Sequence, residues 1–123
     1  MARTVAVIGA SSDRQKFGNK AVRAFLSAGY TVFPINPHER TVEGLRAFAS
    51  VLDVPGPLDM ATVYVQPHVA EQLLDELQAK HIGEVWFNPG SESDTLMVEA
   101  RRRGINAIFA CSIIGIGQSP YQF

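Results

Sequence analysis

The sequence predicts an α/β domain in which about five mainly parallel strands form one sheet with helices on both faces. Three observations support this. Short runs rich in β-branched residues alternate with amphipathic helical stretches along the chain. Turns rich in Gly, Pro, Asn, Ser and His follow the predicted strands, whereas plain helix stops precede them at Gly29, Gly83 and Gly104. All the elaborate turns therefore lie at one edge of the sheet, where doubly wound folds bind their ligands.

The first half of the chain is predicted to contain two strands, one helix and an irregular connection. Residues 4–8 are apolar without interruption, which is typical of a strand buried on both faces. Residues 19–28 have helical spacing of their apolar side chains. Residues 31–35 form the second strand, and Pro34 within it indicates an outer or irregular part of the sheet. Residues 41–58 mix a weak helical period with Gly and Pro, so we expect a short, irregular crossover.

The next section is predicted to be a strand followed by one long helix. Residues 61–65 form the third strand, and Pro67 suits the first turn of the helix because that position needs no N–H donor. The helix ends near Lys80 and His81, before Gly83. Its apolar stripe contains Val69, Leu73, Leu74 and Leu77.

The final section is predicted to add two strands, a helix and an apolar tail. Residues 84–87 and 106–110 are the fourth and fifth strands. Between them, residues 91–94 supply N-caps and negative charge to a helix, and residues 101–104 supply positive charge and a stop. The tail, residues 112–123, is apolar enough to pack on the domain or on a second copy of the chain.

The composition predicts a single cytoplasmic domain that spans residues 1–123. The chain has 46% hydrophobic residues and a net charge of −1, which leaves no basic footprint for nucleic acid and no cationic face for a membrane. The arginines at residues 101–103 are best interpreted as a solvated helix end. The single cysteine, Cys111, and the absence of a signal-like N-terminal segment favour a reducing compartment.

The loop after the first strand has the residue types that bind phosphate. Gly9 permits a tight turn, Ser11 and Ser12 offer N–H and O–H donors, and Lys16 supplies a cation, with Arg14 as the second choice. Gly18 lets the following helix approach closely. The loop lacks the second glycine of the dinucleotide fingerprint and the Ser or Thr of a Walker loop. A capped strand-to-helix turn is the alternative, and the three companion turns favour a ligand instead.

The end of the second strand narrows the choice of ligand. Nicotinamide cofactors are usually held there by an acidic residue that binds the ribose hydroxyls. Asn36, Pro37 and His38 stand at that point, with Glu39 close behind. An uncharged Asn and a His tolerate a phosphorylated ribose better than an acid would, so we expect an adenine-nucleotide-like ligand of that kind.

These motifs resemble a known family. The matching segments are residues 7–12 (Val-Ile-Gly-Ala-Ser-Ser), 16–18 (Lys-Phe-Gly) and 28–37, which ends in Asn-Pro. They are similar to the small, single-domain CoA-binding proteins of the YccU type, whose fold is like that of the N-terminal CoA-binding domain of the succinyl-CoA synthetase α subunit. The resemblance extends over nearly the whole chain and implies a Rossmann-like domain that binds coenzyme A.

Each turn then has an expected role in the site. The resemblance implies that the residues of the first loop at the phosphates are Gly9, Ser11, Ser12 and Lys16. In the same loop, Ala10 and Gly18 are also expected to bind the cofactor. The resemblance implies that Asn36 and Pro37 lie beside the adenosine. It also implies that the opposite side of the cleft is flanked by Gln66, Pro67 and His68. The turn after the fourth strand adds Asn88 and Gly90.

The resulting functional hypothesis is a protein that binds CoA or acyl-CoA without catalysing a reaction. The three histidines show no metal-ligand spacing, and no catalytic triad stands out. Cys111 could exchange disulfides with the thiol of the cofactor, although a small buried apolar role is the commoner one. Two alternatives stay open. One is an NAD(P)-binding, oxidoreductase-like domain, and the other is an interaction module with a vestigial cleft, whose apolar tail recruits a partner.

Overall fold

Five parallel strands form the main sheet of the computed structural model, which describes residues 2–123. In chain order the strands are β1 (Thr4–Ile8), β2 (Thr31–Ile35), β3 (Thr41–Val42), β4 (Leu45–Arg46), β5 (Met60–Val63), β6 (Glu84–Phe87) and β7 (Ala107–Ile108). The main sheet has the order β2-β1-β5-β6-β7, and β3 and β4 form a separate antiparallel hairpin.

The helices cover both faces of this sheet, which confirms the predicted doubly wound α/β fold. They are α1 (Phe17–Ser27), α2 (Pro67–Gln72), α3 (Leu74–Lys80), α4 (Asp94–Arg102) and α5 (Ser112–Gly115). Two short 3-10 turns lie at Val51–Asp53 and Pro120–Gln122. Within residues 2–123, none of the helices has the length and apolar character required to cross a bilayer.

The strand order determines where a cleft can form. The chain passes from β1 to its neighbour β2 and then returns across β1 to pair β5 on its other side. Ile8, the last residue of β1, is in register with Ile35 on one side and Val63 on the other. The winding direction therefore reverses at β1, and the crevice beyond the carboxyl ends of β1 and β5 is where such sheets bind ligands.

The first strand is the centre of two cores. Val5 and Val7 contribute to the core that contains Phe25 of α1, whereas Ala6 and Ile8 contribute to the core under α2, α3 and α4. All of these side chains have at most 4% of their surface exposed. The uninterrupted apolar run of β1 thus reflects burial on both faces, as predicted.

The second strand occupies the outer position predicted from Pro34. Only β1 pairs with it in the main sheet, so the missing N–H of Pro34 removes no ladder bond on the outer side. The carbonyl oxygen of Pro34 instead accepts a hydrogen bond from the backbone N–H of Phe48 at 2.9 Å.

The crossover between residues 41 and 58 is irregular, as expected. The spacing of Leu45, Phe48 and Leu52 suggested a short helix, but the first part of the crossover is a hairpin. The β3–β4 hairpin forms there because Glu43 (φ 51°) and Gly44 (φ 76°) both adopt positive φ. Such a two-residue turn matches the twist of the flanking strands. Helical structure is limited to the 3-10 turn at Val51–Asp53, where Ser50 caps the N–H of Leu52 at 3.1 Å.

Two further elements differ from their predicted bounds. The long helix predicted after Pro67 is divided at Leu73, whose N–H bonds to the carbonyl of Ala70 only three residues back, which tightens the turn. The last strand, β7, is shorter than residues 106–110, and beyond its end the ring of Phe109 stacks on Phe87, with ring centroids 5.1 Å apart.

The tail, residues 112–123, packs on the domain, which is one of the two arrangements expected for it. Ile113 in α5 is fully buried in the core beside α1, and Ile116 and Phe123 pack against the same core. Ile114 and Tyr121 stay exposed. The tail therefore closes one end of the α1 face of the sheet.

Candidate functional site

A cleft of about 740 Å³ opens at the carboxyl edge of the sheet, at the reversal between β1 and β5. This volume lies within the usual range of small-molecule sites. The cleft is lined by Gly9, Ser11, Lys16, Phe17, Gly18, Asn36, Glu39, Tyr64, Val65, Gln66, Asn88, Pro89, Gly90, Ser91 and Cys111.

Two glycines allow the loop after β1 and the start of α1 to lie unusually close together. Gly9 has φ +88°, and a Cβ there would lie 2.7 Å from the carbonyl oxygen of Tyr64. A Cβ at Gly18 would lie 2.0 Å from the carbonyl oxygen of Gly9. Neither position has room for a side chain, so both glycines are required for the backbone path around the cleft.

The first turn of α1 is left without a cap. Lys16 stands at the N-cap and makes no side-chain capping bond, and the first turn contains no acidic residue. Among the described residues, the backbone N–H groups of Phe17 and Gly18 have no acceptor. Helix α4, by contrast, has a Ser93 cap that accepts from Leu96 at 3.0 Å. The start of α1 therefore presents unpaired donors and the positive end of the helix dipole to the cleft.

The Lys16 side chain adds a full charge to this end of the cleft. It is exposed, and no carboxylate oxygen of the described chain lies within 4.0 Å of its ammonium group. Arg14, the second choice for a cation, instead lies 3.6 Å from Glu43. Lys16 is therefore the cation available to an anionic ligand in this loop.

Local hydrogen bonds hold the loop in shape. The N–H of Asp13 donates to Ser11 Oγ at 3.0 Å, and the N–H of Gln15 donates to Asp13 Oδ1 at 3.0 Å. Asn36 Nδ2 donates to the carbonyl of Ala10 at 2.8 Å. The turn after β2 is thereby joined to the loop after β1.

The β3–β4 hairpin is also joined to this loop. Asn19 Nδ2 donates both to the carbonyl of Ser11 at 2.8 Å and to Glu43 Oε2 at 3.1 Å. Just before the hairpin, Glu39 accepts a short hydrogen bond from the hydroxyl of Ser12. This contact turns the Ser12 hydroxyl toward Glu39, whose side chain lines the cleft.

A buried polar network forms the floor of the cleft. Asn88 Nδ2 donates to Thr62 Oγ1 at 2.7 Å and to the carbonyl of Val63 at 2.9 Å, and Asn88 Oδ1 accepts from the N–H of Ser112 at 2.8 Å. The hydroxyls of Thr62 and Ser112 are 2.6 Å apart, and that of Tyr64 lies 3.1 Å from Ser112. Asn88, Thr62 and Ser112 are at most 1% exposed. Asn88 thus connects β5, β6 and α5.

Burial raises the pKa of the Tyr64 hydroxyl to about 12. The Tyr64 hydroxyl therefore keeps its proton in the network even in moderately alkaline solution, where a free tyrosine ionises. Ser91 adds another fixed contact, because its hydroxyl donates to the carbonyl of Val65 at 2.5 Å. The cleft floor consequently presents neutral groups.

The structure brings together most of the residues expected to bind the ligand. Those that line the cleft are Gly9, Ser11, Lys16, Gly18, Asn36, Gln66, Asn88 and Gly90. Those that lie outside its lining are Ala10, Ser12, Pro37, Pro67 and His68. Ala10 is fully buried beneath the loop, whereas Ser12, Pro37 and His68 are exposed. The ligand contacts of all these residues stay predictions.

Several lining residues were not in the expected set. They are Phe17, Glu39, Tyr64, Val65, Pro89, Ser91 and Cys111. Pro89 and Ser91 belong to a turn that the sequence already marked, and Phe17 belongs to the marked loop. Tyr64 and Val65 extend an apolar strand, so their sequence carries no signal of a site.

Comparison with known proteins gives a consistent result. A family model described as a CoA binding domain matches residues 3–116. The chain is 36% identical over 81 residues to the α subunit of ADP-forming acetate-CoA ligase II of Pyrococcus furiosus, covering 65% of this chain and 18% of that protein. It is 30% identical over 115 residues to an ADP-forming acetate-CoA ligase of Methanocaldococcus jannaschii, covering 92% of this chain and 16% of that protein.

The chain thus spans less than a fifth of the length of these two ligases, at 18% and 16%. Its match to a conserved hypothetical protein of Pyrococcus furiosus covers nearly the whole of both chains. The solved structure of that protein superposes with a TM-score of 0.85 at 30% identity, with 92% of this chain and 98% of that chain covered.

Proposed function

This chain belongs to the CoA-binding domain family, and on that premise we propose that its cleft binds coenzyme A or an acyl-CoA. The observation that carries the proposal is the uncapped start of α1, where the N–H groups of Phe17 and Gly18 have no acceptor and both residues line a cleft of about 740 Å³. Unpaired amides at a helix start are suited to phosphate oxygens.

We assign the pyrophosphate to this end of the cleft. The amides of Phe17 and Gly18 offer two donors, the helix dipole adds partial positive charge, and Lys16 supplies a formal charge without a competing partner. Charge-assisted hydrogen bonds of this kind are roughly twice as strong as neutral ones. Gly18 supports this arrangement, because the absence of a Cβ brings the helix start up to the loop.

The two remaining parts of the ligand follow from the strand order. The adenosine lies toward the turn after β2, where Asn36 is held by the Ala10 carbonyl. The pantetheine arm runs the other way, over the neutral floor toward Gln66, Gly90 and Cys111.

We further propose that the chain binds this ligand without catalysing a reaction. None of its three histidines lines the cleft within the described residues, so Cys111 has no histidine base there. Burial raises the pKa of Tyr64 to about 12, further from the neutral range in which a general base is effective. The cleft residues therefore serve to hold the ligand.

A nicotinamide dinucleotide is the second candidate ligand, because one observation favours it. Glu39 lines the cleft after β2, on the side where an acidic residue grips the ribose of NAD in dinucleotide-binding folds. In the sequence, Asn36, Pro37 and His38 separate this acid from the end of the strand.

Isothermal titration with CoA, acetyl-CoA, NAD and NADP distinguishes these functions. We expect saturable heat with CoA and acetyl-CoA and none with NAD or NADP at the same concentrations. Binding of NAD without binding of CoA would replace the proposal with the dinucleotide alternative. No heat with any of the four would favour an interaction module with a vestigial cleft.

The variant Lys16→Ala is expected to weaken CoA binding by about 10-fold, since it removes one charge-assisted contact to the pyrophosphate. Its melting temperature should stay close to that of the parent, because the Lys16 side chain is exposed and makes no ion pair in the described chain.

Lys20→Ala is the matched control for this variant. Lys20 lies on the same helix, over the ring of Phe17 at 5.3 Å, and does not line the cleft. It removes the same charge, so a CoA affinity close to that of the parent is expected. Equal losses in the two variants would show that only the overall charge matters and would contradict the assignment of Lys16.

A further inference from the structure

Glu39 is an acidic residue inside a cleft proposed to hold a polyphosphate ligand. Its side chain lines the cleft and is partly exposed. Its hydrogen-bond partner is the neutral hydroxyl of Ser12. Across residues 2–123, no Lys, Arg or His nitrogen lies within 4.0 Å of its carboxylate oxygens. Its negative charge is therefore not compensated by an ion pair.

Glu39 lies on the side of the cleft that borders the turn after β2. It follows β2, the strand beside β1, and the hydroxyl of Ser12 connects it to the phosphate loop. Asn36 holds the same turn against that loop through the carbonyl of Ala10. In nucleotide-binding sheets, the group that follows the second strand lies beside the adenosine ribose. Glu39 is thus on the ribose side of the pyrophosphate.

A carboxylate at this place acts in opposite directions on two kinds of ribose. It accepts a hydrogen bond from a free ribose hydroxyl, and such charged acceptors make the stronger bonds. It repels a ribose phosphate, and like charges about 4 Å apart near a protein surface change an equilibrium on the order of 10-fold or more. CoA carries its phosphate on the 3′-oxygen and keeps its 2′-hydroxyl, so the repulsion, rather than the loss of this hydrogen bond, is what disfavours the phosphorylated ribose.

We propose that Glu39 is a specificity-determining residue that selects a ligand ribose with free hydroxyls over one that carries a phosphate. The inference rests on the proposed function, since it assumes an adenosine ligand with a pantetheine arm. It makes 3′-dephospho-CoA a tighter ligand of this cleft than CoA. It also reverses the expectation drawn from Asn36 and His38, which had favoured a phosphorylated ribose.

Titrations of the parent chain and of Glu39→Gln with CoA and with dephospho-CoA test the proposal. We expect the parent to bind dephospho-CoA about 10-fold more tightly than CoA at low ionic strength. This preference should shrink at high salt, because exposed charges are screened. In Glu39→Gln, CoA affinity should rise about 10-fold while that for dephospho-CoA stays level or falls, so the preference is lost.

Asp53→Asn is the matched control, since it changes the net charge equally at an exposed residue that does not line the cleft. The control should keep the ligand preference of the parent. Glu39→Ala provides a second variant in which the preference should also be lost.

The outcomes separate this inference from the proposed function. If both ligands bind but the ratio of their affinities is the same in the parent, Glu39→Gln and Asp53→Asn, the role of Glu39 is overturned and CoA-type binding stands. If neither ligand binds to any variant, the proposed function itself is overturned, and the inference with it.

Discussion

A methyl group at position 18 is expected to lower the free energy of unfolding by about 3 kcal/mol, because the Cβ of Gly18→Ala has no space. It would lie 2.0 Å from the carbonyl oxygen of Gly9, which is backbone and cannot rotate away. The start of α1 must then move, and the amides of Phe17 and Gly18 move with it. For a chain of this size the loss corresponds to about 10 °C in melting temperature.

Ligand binding should suffer more than stability in this variant. The amides of Phe17 and Gly18 then no longer meet the pyrophosphate, and the loss of two hydrogen bonds to a charged group, about 1.5 kcal/mol each, predicts a loss of CoA affinity on the order of 100-fold. Thermal unfolding and isothermal titration measure the two effects separately.

Gly29→Ala is the control for glycine removal in general. Gly29 has φ +89°, but nothing lies within 4 Å of a Cβ built there. Its cost is the backbone strain alone, on the order of 1–2 kcal/mol, and CoA binding should be unchanged. If Gly18→Ala behaves like Gly29→Ala, or like the parent, the close approach of α1 to the loop is contradicted.

The second large effect is expected at the floor of the cleft, in Asn88→Ala. This variant removes the groups that pair with Thr62 Oγ1, the carbonyl of Val63 and the N–H of Ser112. All of these lie in a region where Asn88 is 1% exposed, so water does not readily replace the side chain. Thr62 Oγ1 keeps its contact with Ser112 Oγ, and the carbonyl of Val63 still accepts from the backbone N–H of residue 88, so the N–H of Ser112 is the group left unsatisfied. An unsatisfied buried group costs about 1–3 kcal/mol, and we expect a loss of about 2 kcal/mol.

Urea unfolding of Asn88→Ala and of Asn106→Ala provides the comparison. Asn106 donates one hydrogen bond, to the carbonyl of Gly83 at 3.0 Å, and is exposed. Its loss should cost less than about 1 kcal/mol, since water can solvate the freed carbonyl. Equal destabilisation of the two variants would show that the Asn88 network does not hold β5, β6 and α5 together.

The fold was largely predictable because its signals are local. The apolar run of β1 indicates burial on both faces, and the proline in β2 indicates an outer position in the sheet; each signal needs only a few residues. The hairpin was not predictable, since its turn is Glu43-Gly44, and Glu at positive φ is rarely chosen for a turn. The break at Leu73 has no Gly or Pro to announce it.

The candidate site likewise has a part that local sequence predicts and a part that depends on contacts between distant residues. Gly9, Ser11, Lys16 and Gly18 lie in one loop whose composition is characteristic, and the structure places all of them around the cleft. Glu39 could not be assigned, because its position in the cleft depends on the contact with Ser12, which is 27 residues distant in sequence. The same holds for the Asn88 network, whose partners come from β5 and the start of α5.

Because Thr62, Asn88 and Ser112 already satisfy one another, the base of the cleft is preorganised, and an arriving ligand does not need to rearrange it. The conformational entropy lost on binding is then confined to exposed rim side chains, chiefly Lys16, Phe17 and Gln66. The shape of the cleft base is thereby the same with and without a bound ligand. Differences in affinity between ligands then arise at the rim of the cleft.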